Sequence, residues 1–129
     1  MLDPAIKDLA RGKNFAMLSF TMPDGRIASH VMWVDATDEH VLVNTEVHRA
    51  KYKAISSNRQ VTVTVWNAEN PYNYGEVRGE LAGEIRGDKA RAQIDVLAQK
   101  YMGQDYPGAI ESERVILQIA PLRQRLWGG

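Results

Sequence analysis

Apolar and polar residues alternate strictly over 60–66, QVTVTVW, the period of a strand with one buried face. Shorter runs of the same character lie at 14–20 (NFAMLSF), 26–34 (RIASHVMWV), 40–45 (HVLVNT) and 114–121 (RVILQIAP). A longer one, 74–87, is interrupted by Gly75, Gly79 and Gly83, and glycines inside a strand mark bulges or tight curvature. MPDG at 22–25 and DATDE at 35–39 carry turn signals, so the first three runs read as an antiparallel meander. Helical spacing replaces alternation in three places. The first helix has Asp3 as N-cap, Pro4 at its first position and Gly12 at its stop, with Leu2, Ile6 and Leu9 on one stripe. The second covers 47–57, with Ala50, Ala54 and Ile55 inward. The third covers 88–101, capped by Asp88 and ended by Gly103, with Ile94, Leu97, Ala98 and Tyr101 as its buried face. These elements predict one mainly β domain over 1–129: about six antiparallel strands curled into a small barrel, with peripheral helices.

Composition narrows the classes. Lys plus Arg and Asp plus Glu number 16 each, so no global charge draws the chain to nucleic acid or an anionic membrane, and any basic site is local. Cysteine is absent, which removes disulfides and thiolate metal sites and suits a reducing, cytoplasmic setting. The N-terminal segment has no apolar signal-peptide core, and no run approaches ~18 apolar residues, so neither a secretory leader nor a membrane span is expected.

The motifs of familiar active sites do not occur: GxSxG, the P-loop, HExxH and GxGxxG are all missing. His30, His40 and His48 lie on three different predicted elements without ligand spacing, so no metal is expected and no catalytic residue is assigned. One stretch stands out. HRAKYK, 48–53, packs His48, Arg49, Lys51 and Lys53 just after one strand and into the first turns of a short helix. A solvated helix face explains such a run. So does a seat for an anion, since unpaired N–H groups and the positive dipole end meet at a helix start, and Thr45 adds a hydroxyl at the preceding strand's end.

The order strand, NT, three residues, RAK, helix, SNRQVTVTVW, then NPYNYGEVRGE resembles the pyridoxamine-phosphate-oxidase-like split β-barrel superfamily. More narrowly it resembles the branch of reductases that use the deazaflavin coenzyme F420. The resemblance runs from about Leu9 to Leu122. It implies that Thr45 and Lys51 hold a cofactor phosphate, with Arg49 and Lys53 as accessory contacts to the phosphate or an anionic tail and Ala50 between them. It nominates Ser29, Met32 and Trp33, in SHVMWV, beside the cofactor ring, and Glu76, in YGEVRGE, near the ring system. An adjacent Arg-Lys pair, favoured by the FMN oxidases, is replaced here by Arg49-Ala50-Lys51, which is more similar to the deazaflavin form. The implied activity is hydride transfer from reduced F420 to an electrophilic small-molecule substrate. The alternatives are an FMN-dependent oxidoreductase of the same fold and a non-enzymatic binder of flavin or tetrapyrrole.

Large aromatics complete the picture. Trp33, Trp66, Tyr72, Tyr74 and Trp127 exceed what a small half-open barrel readily hides, which predicts a homodimer with cofactor grooves near its seam. Trp127, in the basic tail LRQRLWGG, needs a docking place, either on its own chain or at a partner subunit's site.

Overall fold

A computed structural model describes residues 1–128. The elements in chain order are α1 (Pro4–Arg11), β1 (Phe15–Thr21), β2 (Ile27–Met32), β3 (Asp35–Ala36), β4 (Val41–Glu46), α2 (Ala50–Ser57), β5 (Gln60–Trp66), β6 (Tyr74–Arg86), α3 (Asp88–Met102) and β7 (Arg114–Trp127). All strand pairs are antiparallel and form one seven-stranded sheet in the order β2-β1-β5-β6-β7-β4-β3.

That order closes the sheet. β2 and β3 lie at its two ends, yet only Trp33 and Val34 separate them in the chain. Three residue steps span at most about 10 Å, so the sheet must curl until its ends meet. No ladder joins β2 to β3 among the described residues, which leaves the barrel split there. The expected meander is therefore corrected. β1 and β2 form the predicted hairpin, but the third predicted strand, β4, leaves it and pairs with β7, about seventy residues further along. Turn residues at 37–40 instead serve the small β3–β4 hairpin, which brings the strand count to seven.

Alternation does the rest. Val61, Val63 and Val65 of β5 face the barrel interior with Ala16, Leu18 and Phe20 of β1. α1 plugs one side of that core with Ile6, fully buried, its start fixed by Asp3 Oδ1 accepting the Ala5 N–H at 2.8 Å. β4 is buried at all six positions because α3 covers its outer face, where Leu42 and Ile116 pack against Ala90. α3 itself begins after Gly87, whose φ of +74° few other residues adopt; Asp88 is its first residue and not its cap. α2 is shorter than expected, since residues 47–49 form a turn, and Ala50 is exposed while Ala54 and Ile55 are buried.

Two of the three glycines expected to mark irregularities in β6 do so, Gly79 and Gly83, while Gly75 lies in unbroken register and leaves room for Ile6. Register shifts fall between Arg78 and Gly79 and between Leu81 and Gly83. A Cβ on Gly79 would lie 2.2 Å from the Ala120 carbonyl oxygen. The first shift also explains why β7 does not stop at Pro121: a proline, lacking an N–H, is accommodated at a bulge, and the strand continues to Trp127. Trp127 thereby docks on its own chain, stacked on Tyr74 at 4.5 Å.

Candidate functional site

The basic cluster sits where the barrel's split, the end of β4 and the start of α2 converge. Arg49 is the N-cap residue of α2 but makes no side-chain cap bond, and the first turn holds no acidic residue. The first N–H groups of a helix lack partners within it, so this end is electropositive twice over. β7 adds a third source. Its first residue, Arg114, is directly opposite Glu46 in the β4–β7 register and is buried, at 5% exposure.

Between these elements runs an open groove of about 240 Å³. Arg49, Lys51 and Arg114 line it with Thr45 and Asn44 from β4, while Met32 and Trp33 form the opposite wall and Tyr106 its rim. Arg114 is held by its Nε–H, which donates to Asn44 Oδ1 at 2.8 Å; Asn44 in turn donates to Ala90 O and to Gln93 Oε1. Two of the three cations thus share one carboxylate, Glu46, which lies 3.4 Å from Arg49 Nη2 and 3.5 Å from Arg114 Nη1. The Glu46 carboxyl is buried, which raises its pKa, but the N–H groups of Ser112 and Glu111 and the two guanidiniums outweigh burial together and hold it below the usual value.

Lys51 is the unusual member. It is half-buried, and among the described residues it makes no ion pair; its Nζ points at Met32 Sδ, 3.2 Å away. Burial lowers its pKa first, and repulsion from Arg49 and Arg114 lowers it further. An ammonium group with soft sulfur for a partner and two guanidiniums for neighbours is a charge without a counterion.

Trp33 is fixed from behind. It stacks on Tyr101 of α3 at 5.2 Å with planes 4° apart, and Tyr106 meets it edge-on. The Tyr101 hydroxyl donates to Asn14 O and accepts the Val34 N–H, and burial pushes its phenol up to about 12, so it stays protonated. Lys100 Nζ donates to Val34 O at 2.6 Å and to Ala10 O and Arg11 O. The two-residue link that closes the barrel and supplies one groove wall is therefore clamped to α3 and α1.

Of the nominated residues, Met32, Trp33, Thr45, Arg49 and Lys51 come together in this groove. Ala50 and Lys53 are exposed on α2 outside it. Ser29 and Glu76 lie on the sheet's outer face. Ser29 Oγ shares a hydrogen bond with Ser19 Oγ at 2.9 Å, and Glu76 pairs with Arg78 at 2.9 Å. Glu76 is three strands from Val31 on the groove's edge, about 14 Å at normal strand spacing. Arg114, Asn44, Tyr106 and Glu46 were not visible as site residues in the sequence. A charged residue opening a strand looks like a solvated strand end, and only the β4–β7 pairing brings Arg114 to Thr45's side.

No protein-family model matches the chain, and no curated protein matches it. Solved structures do. An F420 reductase is 27% identical with a TM-score of 0.82, the match covering 96% of this chain and 98% of that one. A conserved hypothetical protein from Mycobacterium tuberculosis is 19% identical, with a TM-score of 0.73 over 98% of this chain and 84% of that one. A pyridoxamine 5'-phosphate oxidase-related, FMN-binding protein from Nostoc punctiforme is 16% identical, with a TM-score of 0.64 over 95% and 83%. The latter two show the fold alone. All three share the split-barrel fold of this chain, and the similarity to the F420 reductase extends over nearly the whole of both chains.

Proposed function

We propose that the chain is an F420-dependent reductase, binding the deazaflavin by its phosphate in the groove at the start of α2 and passing hydride from the reduced ring to an electrophilic organic substrate. The observation that carries the binding half is Lys51, a half-buried cation without a counterion beside Arg49, Arg114 and the Thr45 hydroxyl. A phosphate there makes charge-assisted hydrogen bonds and relieves the mutual repulsion of three cations. Similarity to an F420 reductase over nearly the whole of both chains supports the choice of cofactor.

The residues fit such a group in two further respects. Trp33, rigidly stacked on Tyr101, presents an aromatic wall beside the anion seat, and Met32 gives an apolar surface next to it. When bound, the deazaflavin supplies the hydride chemistry. This chain's own residues orient it, neutralise its charge and shield it from water. Ser29 and Glu76 belong to the same reading through assembly. They lie on the outer face that a second copy would cover, so a groove extended across a dimer seam would reach them.

FMN is the second reading, and the charge count favours it: three cations against one carboxylate leave a net charge of two, which suits a phosphate monoester dianion. Titration separates the two. Tryptophan quenching with oxidised F420 and with FMN, at low and high salt, should show tighter F420 binding whose advantage shrinks as salt screens its anionic tail. Equal or tighter FMN binding at low salt rejects the deazaflavin reading.

A further inference from the structure

We infer that Glu46 is a positioning residue of the anion groove, one carboxylate that fixes two of its cations with one oxygen and the segment closing over it with the other. The inference rests on the reading of the groove as a phosphate seat. Oε2 is the oxygen shared by Arg49 and Arg114. Oε1 accepts the backbone N–H groups of Glu111 at 2.7 Å and Ser112 at 2.9 Å. Those two residues end a strap, 103–113, that leaves α3 and returns to β7. Near the strap's start the Tyr106 N–H donates to Asp95 Oδ1 at 3.0 Å, and Arg91 holds the other oxygen of Asp95 at 2.9 Å. Pinned at both ends, the strap lays the Tyr106 ring against Trp33 and under the Arg114 guanidinium, 5.3 Å away.

A carboxylate beside an anion seat looks self-defeating, because it repels what the seat attracts. The distances resolve this. Charge-assisted bonds usually span about 2.7–2.9 Å. At 3.4 and 3.5 Å, Glu46 aligns the guanidiniums without saturating them, and their remaining donors stay free for a ligand. Glu46 is itself only 1% exposed, so it cannot be solvated in compensation if the guanidiniums turn away. The groove is thereby held open and preorganised while empty, which removes part of the ordering that binding otherwise requires.

The sign of one substitution decides between positioning and plain charge. Glu46→Gln keeps an oxygen for the Glu111 and Ser112 amides and removes the negative charge. If Glu46 were only a surplus charge, inorganic phosphate would bind this variant more tightly. Under the inference it binds about three- to ten-fold more weakly, followed by NMR chemical shifts. Hydrogen exchange at the Glu111 and Ser112 amides should stay within the parent's range, which shows that the strap is intact. The penalty should also shrink by at least half, on a logarithmic scale, in an Arg49→Ala background, whereas a merely structural defect adds in full. Tighter or unchanged phosphate binding, or full additivity, overturns the inference. Should Glu46→Gln not fold, Arg49→Lys replaces it: charge is kept and the planar fork is lost, so phosphate should weaken by a similar factor, and equal binding overturns the inference. A parent chain that binds no phosphate overturns it as well. Phosphate binding without F420 binding rejects only the proposed cofactor.

Discussion

Lys51 holds its proton at a disadvantage, and that makes it testable alone. Burial and two neighbouring guanidiniums lower its pKa from 10.5, so the charged form is disfavoured in the empty groove. A bound dianion reverses the balance. Phosphate affinity is therefore full below the lowered pKa and is lost as pH rises through it, at pH values where an ordinary lysine is still charged. Isothermal titration between pH 7.5 and pH 11, where phosphate stays mostly dianionic, should show that decline setting in below pH 10.5. Lys51→Arg should flatten it, because a guanidinium keeps its charge throughout. Lys51→Ala should lower affinity about ten- to a hundred-fold, the loss of one charge-assisted bond at roughly 1.5–3 kcal/mol. Exposed Lys53 is the internal control; its alanine variant should change affinity by no more than the ~0–1 kcal/mol of a surface charge. A parent whose affinity is constant over that pH range would show that Lys51 does not touch the anion.

Among the elements, β6 carries the most demanding geometry. Gly79 lies at a register shift with its missing Cβ aimed at the Ala120 carbonyl, and that oxygen belongs to backbone that cannot swing aside. Gly79→Ala should destabilise the protein by about 1–3 kcal/mol or more, read as a lower denaturant midpoint at unchanged m. Gly103→Ala meets no atom within 4 Å and bears only the strain of its φ of +72°, roughly 1–2 kcal/mol. Equal effects would mean that the bulge relaxes freely. The irregularities at Gly79 and Gly83 were legible in the sequence because alternation continues on both sides of each. So were β5, the β1–β2 hairpin and the apolar stripe of α1, all set by local pattern and turn chemistry. The β4–β7 pairing was not, since nothing within 40–45 or 114–121 encodes a partner seventy residues away. That one gap hid half of the site: Arg114, Glu46 and Asn44 acquire their roles only across that ladder. Thr45, Arg49 and Lys51 were legible because they are neighbours in sequence.

At the scale of the whole molecule, the outer face of the sheet asks for a cover. Ile27 is 76% exposed, Leu122 67% and Val31 59%. Ile27 and Leu122 border one open groove of about 410 Å³, floored by Ser19, Thr62 and Arg78. Strand β2, at the sheet's end, has four of its six residues exposed. Edge strands with protruding apolar residues are usually blunted or paired, and among the described residues nothing pairs with the free side of this one. A second copy packed on this face by a two-fold axis would bury those side chains and bring each Ser29 and Glu76 to the seam. A stable interface needs about 800 Å² from each partner, more than three side chains supply, so the contact must extend over β1, β5 and β6 as well. Ile27 lies remote from the core and from the cations of the groove, so Ile27→Lys should leave the monomer's fold and its phosphate binding near the parent's. It should nevertheless shift the mass found by light scattering at micromolar concentration from dimer to monomer. If F420 is held at the seam, the same variant should lose F420 affinity while retaining that for inorganic phosphate. A parent that is already monomeric at that concentration rejects the assembly. A dimer indifferent to Ile27→Lys places the seam on another face.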